Sequence, residues 1–218
     1  MMTSDQVLKH FRDSNALLEG HFVLSSGLHS SSYLQCAIAL QYPTDASRFG
    51  STLAARVVEF LVGSPLKKGE EKVVLSNPID EPGVVIDTVV SPAIGGLVIG
   101  YAAAKALNAR FIWTERAEGR MMLRRGFSVR PGERILVVED VITTGGSTRE
   151  CIAAVEESGG SIIAAASIID RSGGKADVGV PRLALAMLDV PTFAPDVCPM
   201  CENGIPTVKP GSRTAVAG

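Results

Sequence analysis

An α/β fold built on a mostly parallel, twisted sheet with helices on both faces is predicted by three features of the sequence. From residue 84 onward, short and nearly all-apolar runs alternate with helical segments, the pattern of strands buried on both faces. The chain has 218 residues, 46% of them hydrophobic, and a mean hydropathy of +0.24. That is enough for one large core and too apolar for general disorder. The longest apolar stretches are cut by Gly, Ser or charge before any could span a bilayer, and four cysteines are too few for a disulfide scaffold.

The elements follow in order. Thr3 with Gln6 three residues later is a capping-box signal, and Val7, Phe11 and Leu18 fall on one face of the helix expected there. A Gly/Ser-rich piece runs through residues 20–33. A second helix is expected after Pro43, with Thr44 as its cap and Phe49, Leu53, Val57 and Phe60 buried. Residues 63–83 are rich in proline and charge and read as a surface insertion, a hairpin around Lys72-Val73-Val74-Leu75. Strands are predicted at 84–90, 110–114, 135–139, 162–169 and 183–188, and helices at 97–107 and 147–158. The tail after Pro191 reads as irregular. The polar N-terminus has no signal-peptide pattern, so a cytoplasmic protein is expected. A net charge of −2 and a pI near 5.9 argue against a protein that coats nucleic acid.

The chemistry is concentrated in residues 134–148, where an apolar strand ends in Glu139 and Asp140 and runs into Thr143-Thr144-Gly145-Gly146-Ser147-Thr148 before a helix begins. The glycines leave backbone N–H groups open to a ligand, the hydroxyls add donors, and a helix N-terminus favours an anion. This is a phosphate cradle without the Gly-Lys-Ser/Thr ending of a Walker loop or the spacing of a dinucleotide fingerprint. Two carboxylates beside such a cradle would repel a phosphate unless they face something else. Vicinal sugar hydroxyls suit them, and so does a cation developing at the anomeric carbon.

The run Val137-Val138-Glu139-Asp140-Val141-Ile142-Thr143-Thr144-Gly145-Gly146-Ser147 resembles the phosphoribosyl-pyrophosphate (PRPP) motif of type I phosphoribosyltransferases. Phe22-Val23-Leu24-Ser25-Ser26-Gly27 with Ser30 and Tyr33 resembles the N-terminal hood of orotate phosphoribosyltransferases. Ser91-Pro92-Ala93-Ile94-Gly95-Gly96 resembles their pyrophosphate loop, and Arg171 stands where that family places an arginine on the orotate carboxylate. A planar guanidinium suits that task because it binds carboxylate in a bidentate way.

The resemblance implies a type I phosphoribosyltransferase fold in one domain. Its hood would come from the N-terminal ~40 residues plus the tail, and its core from roughly residues 44–190. It implies PRPP contacts from Glu139, Asp140, Val141, Ile142, Thr143, Thr144, Gly145, Gly146 and Ser147. Thr143 and Arg171 would touch orotate, and Ala93, Ile94 and Gly95 pyrophosphate. Mg²⁺ would be held through PRPP, with Asp140 reaching it directly or through water. The implied reaction joins orotate to the phosphoribosyl group of PRPP. A purine or uracil phosphoribosyltransferase, or a non-catalytic PRPP-sensing regulator, are the alternatives.

Seven arginines and no lysine lie between Arg110 and Arg134. The middle of this stretch shows no clean helical or strand period and occupies the place of the family's mobile lid, which reaches the neighbouring active site in a homodimer. Arg116, Arg120 and Arg124 are therefore expected at PRPP, with Arg120 catalytic. Because arginine does not deprotonate, the help given to the leaving group would be electrostatic. Ala117, Ser25 and Gly95 stand where the family often has lysine. Cys198 and Cys201 form a C-x-x-C with no second pair, and His10, His21 and His29 are far away in sequence. Free or loosely paired thiols in a surface turn are expected, with zinc shared between two subunits as the alternative.

Overall fold

The computed structural model describes residues 1–24, 27–62 and 86–209. The 63–83 segment, Ser25 and Ser26, and the tail beyond residue 209 lie outside the described residues.

Helix α1 (Ser4–Asp13) starts at the expected capping box: the Gln6 N–H donates to the Thr3 hydroxyl, and the Gln6 side chain accepts from the Thr3 N–H. Val7 and Phe11 are buried along it, but Leu18 is not on this helix; it lies in strand β1 (Leu17–Val23), because the chain turns at Ser14-Asn15. Strand β2 (His29–Leu34), the short α2 (Cys36–Ala39) and α3 (Pro43–Val62) follow. Helix α3 begins at Pro43 itself, so Thr44 is inside its first turn rather than its cap. Pro43 costs nothing there, since a first-turn N–H has no helical partner. Phe49, Leu53 and Val57 are fully buried, whereas Phe60 is 43% exposed near the helix end.

The main sheet contains β3 (Thr88–Pro92), β4 (Arg110–Ala117), β5 (Arg120–Leu123), β6 (Arg134–Ile142), β7 (Ser161–Asp170) and β8 (Arg182–Met187). Helices α4 (Leu97–Leu107) and α5 (Gly146–Glu156) alternate with them. The order is β5-β4-β3-β6-β7-β8, and every pairing is parallel except that of edge strand β5 with β4. The register pairs Val90 with Val137 and Ile142 with Asp170, so β6 and β7 end level with each other, beyond the end of β3.

Both faces of the sheet are buried, with the side chains of β6 alternating between them. Leu136 and Val138 join Phe11, Phe49, Leu53 and Ile99 on one side. Ile135 and Val137 join Cys151, Ile152 and Val155 on the other. A second, antiparallel sheet has the order β1-β2-β9, where β9 is Thr192–Phe193. The tail is thus more ordered than expected: after β9 come a 3-10 turn at Pro195–Val197 and the short α6 (Pro199–Glu202).

Candidate active site

In an open parallel sheet, ligands bind beyond the carboxyl ends of the strands, where the strand order reverses. Here that point is between β3 and β6, since the chain leaves β3 outward to β4 but leaves β6 in the opposite direction to β7. A cleft of ≈ 790 Å³ opens there, lined by Arg116, by every residue from Glu139 to Thr148, and by Tyr33, Arg171 and Lys175.

The cradle is shaped by Gly145, which caps α5 with φ 76°, a left-handed backbone that glycine adopts without a Cβ clash. A Cβ on it would also lie 2.8 Å from a Val178 methyl. Arg149 braces the turn from below, its Nη1 donating to the Thr144 and Asp177 carbonyls at 2.9 and 2.5 Å. Thr143, Thr144 and Ser147 are exposed in the cleft. The hydroxyl-bearing residues and the start of α5 therefore line the same cleft.

The two acids differ. Glu139 is only 7% exposed, and burial followed by the neighbouring Asp140 charge holds its carboxyl well above the usual carboxylate range. Asp140 is half-buried, and its Oδ1 accepts from the Val141 N–H at 2.8 Å. Burial, with Asp140 nearby, also pushes up the Cys36 thiol. The loop after β3 abuts Asp140: a Cβ on Gly95 would sit 2.8 Å from Oδ1 and 2.9 Å from Oδ2. A lysine at position 95 would therefore require Asp140 to move. The Ala93–Ile94 peptide is cis.

Arg171 follows β7 and is 9% exposed. Its Nη2 donates to Ser30 Oγ in β2 at 2.9 Å, while its Nε is buried without a partner. Burial lowers the pKa of this guanidinium, with Tyr33 acting the other way. The adjacent acid does not neutralise it. Asp170 Oδ2 accepts from Arg182 Nη1 at 2.7 Å and from the Gly174 N–H, and its Oδ1 accepts from Ser172. Among the described residues Arg171 has no ion pair. It is a buried cation short of an anion.

The arginine stretch corrects the sequence reading. It is a regular hairpin, β4 against β5, with Arg116 opposite Met121 and Ala117 opposite Arg120 across a Glu118-Gly119 turn. Of its arginines, Arg116 reaches the cleft and pairs with Glu150, while Arg124 and Arg125 pair with Glu115. Arg120 is exposed at the tip; neither it nor Arg124 lines the cleft, and neither do Ala93, Ile94 and Gly95. Lys175, exposed at the cleft mouth, was not singled out from the sequence; Gly173-Gly174 just before it, with φ 60° and 82°, is the signal that could have found it.

A PRPP-type motif at the switch point of such a sheet defines the phosphoribosyltransferase class, and a model described as the phosphoribosyl transferase domain matches residues 76–182. The chain is 48% identical over 212 residues to an orotate phosphoribosyltransferase of Caldicellulosiruptor bescii, covering 97% of this chain and 99% of that one. It is 47% identical over 216 residues to one of Rhizorhabdus wittichii, covering 99% and 100%. The chain belongs to the orotate phosphoribosyltransferase family. In fold it is similar to the crystal structure of the Aeropyrum pernix orotate phosphoribosyltransferase, with TM-score 0.59, 24% identity, and 84% of this chain and 93% of that one covered. An adenine phosphoribosyltransferase is nearly as similar, with TM-score 0.58, 16% identity, and 81% and 99% covered. The backbone alone does not select the base.

Proposed function

We propose that this enzyme transfers the 5-phosphoribosyl group of PRPP to orotate, giving orotidine 5′-phosphate and pyrophosphate, a step of pyrimidine biosynthesis. The observation that carries the choice of orotate is Arg171, a buried guanidinium with an unpartnered Nε in the same cleft as the phosphate cradle. Orotate is the base that brings a carboxylate to it; uracil, adenine and hypoxanthine do not.

The exposed hydroxyls of Thr143, Thr144 and Ser147 and the N–H groups around Gly145 and Gly146 hold the 5-phosphate. Val141 and Ile142 carry the chain from the acids into that turn. Glu139 and Asp140 accept from the ribose hydroxyls. As the bond to pyrophosphate breaks and a ring nitrogen of orotate attacks C1′, positive charge develops on the sugar, and these carboxylates stabilise it. Thr143 and Arg171 orient the base. Ala93, Ile94 and Gly95, on the loop facing Asp140, take the departing pyrophosphate.

The oxygen donors of Asp140 and Glu139 fit Mg²⁺, which would neutralise pyrophosphate and be held by Asp140 directly or through water. The β4–β5 hairpin acts as a lid, with Arg116 already at the cleft and Arg120, as the catalytic arginine, and Arg124 supplying positive charge to the leaving group when the lid closes. A homodimer in which this lid reaches the partner's cleft is part of the proposal. It is supported by the exposed apolar residues Ile94, Val98 and Tyr101 on the loop after β3 and on α4. A cytoplasmic setting belongs to it too; no described helix is long and apolar enough to cross a membrane.

The test is an absorbance assay of orotate consumption with PRPP and Mg²⁺, run beside Asp140→Asn. Consumption of orotate, absent with uracil, hypoxanthine or adenine and strongly reduced in the variant, is the expected result. Turnover of another base in preference to orotate would overturn the assignment.

A further inference from the structure

We infer that His21, His29, Cys198 and Cys201 form a structural Zn²⁺ site that fastens the C-terminal tail to the β1–β2 hairpin. The sequence offered only a C-x-x-C with no second pair, but the fold supplies the missing ligands from 169 and more residues away. One ligand atom from each of the four lies within 4.8 Å of every other. Cys198 Sγ is 3.5 Å from His21 Nε2, and Cys201 Sγ is 3.8 Å from His21 Nε2 and 3.3 Å from His29 Nδ1. A tetrahedral zinc with about 2.0 Å bonds to nitrogen and about 2.3 Å to sulfur has N···S edges of about 3.5 Å. The observed separations bracket that value. The two nitrogens are 2.8 Å apart, and a central ion would open them by about half an ångström.

The surroundings fix the ligands in the state a metal needs. His21 Nδ1 lies 2.7 Å from the Ile205 carbonyl, which only accepts, so Nδ1 carries the proton and Nε2 presents its lone pair to the cluster. Cys198 is the N-cap of α6 and Pro199 its first residue, and this turn brings both sulfurs to one side. His21, His29 and Cys198 are buried, whereas Cys201 is exposed on the surface turn that was expected. Zinc entry releases the two thiol protons and moves the His29 proton from Nδ1 to Nε2. Two thiolates and two imidazoles in a tetrahedral set select zinc over hard cations.

The ion would close nearly the same long loop as the short β9 pairing and so reinforce it. The tail already lies along β1, with the Val208 N–H donating to the His21 carbonyl at 2.8 Å and the Val23 N–H to the Val208 carbonyl at 2.9 Å. The next residue after His29 is Ser30, which accepts from Arg171. The site thereby holds the strand that orients Arg171 without touching the reacting atoms.

The test uses the full chain purified under reducing conditions. About one zinc per chain is expected by elemental analysis, lost in Cys201→Ser and His29→Asn and retained in His10→Gln, whose imidazole lies elsewhere beside the Ala39 carbonyl. Should those variants fail to fold, the unaltered chain decides. After chelation its Tm should fall by at least about 5 °C. Co²⁺ should then restore it with the visible bands and thiolate charge-transfer band of a tetrahedral Cys₂His₂ centre. A reduced chain that neither retains zinc nor takes up Zn²⁺ or Co²⁺, or that carries copper or iron instead, would overturn the inference.

Discussion

Arg171 is held as a buried charge with one hydroxyl for company, so the energy of pairing it is left for the ligand. Removing one partner of a buried, hydrogen-bonded charge pair costs about 2–5 kcal/mol, which corresponds to a fall of about 30-fold or more in kcat/KM for orotate. Steady-state kinetics of Arg171→Gln should show this loss with the KM for PRPP nearly unchanged; an equal loss for both substrates would mean that Arg171 shapes the cleft rather than reads the base. Glu139 makes an opposite kind of prediction. Its carboxyl is raised in the folded enzyme above the ordinary 4.5, so the folded state binds more protons than the unfolded one over the window above pH 4.5. Stability of the ligand-free enzyme should therefore decline as pH rises through that window. Glu139→Gln removes this cost: thermal melts at pH 7 should show a gain of about 2–5 °C that vanishes below pH ~4.5, where both states are protonated. Both acids were legible in the sequence because they end an apolar strand and precede a glycine turn. Their inequality was not, because it depends on how deeply each is buried.

At the scale of elements, the loops after β3 and β6 work as a facing pair, and Gly95 is small because Asp140 stands against it. A methyl at 2.8 Å from a carboxylate oxygen must displace it, so Gly95→Ala should reduce turnover by about tenfold or more, since misplacement of about 1 Å can cost a hundredfold. Circular dichroism and Tm should stay near those of the parent; full activity would show that Asp140 has room to move. The β4–β5 hairpin carries the second prediction. Arg120→Gln with Arg124→Gln should lower kcat at least about tenfold while leaving Tm unchanged, because both side chains are exposed and their role is electrostatic. Unchanged turnover would remove the lid from the mechanism. Helix 97–107 was legible to the residue from its apolar run, and β6, β7 and α5 to within a few residues. Of the hairpin, the start of β4 was legible as the strand expected at 110–114, but its continuation and β5 were not, because they sit at the sheet edge. There Arg116 and Arg120 occupy exposed positions, and beyond Thr114 only Met121 is buried. Nor could periodicity place Leu18, since Asn15 turns the chain with φ 55° between helix and strand.

At the scale of the whole molecule, the fold was readable where neighbours in sequence are neighbours in space, as in the alternating strands and helices from β3 to β8. What was hidden depends on chain ends meeting. Pairing of His29 with Phe193 and of Phe22 with Val208 brings the tail onto the N-terminal strands and assembles the His/Cys cluster. No local pattern reports that. Ser30 in β2 also meets Arg171 after β7, so the N-terminal sheet and the main sheet both contribute to a cleft whose glycine turn joins β6 to α5. The central claim is that division of labour along one cleft. A crystal structure with orotidine 5′-phosphate bound tests it most directly. The phosphate should lie within hydrogen-bonding distance of the turn from Thr143 to Ser147, the ribose hydroxyls on Glu139 and Asp140, and the pyrimidine carboxylate on the Arg171 guanidinium. A nucleotide bound elsewhere, or bound with its carboxylate away from Arg171 and its phosphate off the glycine turn, would contradict the account.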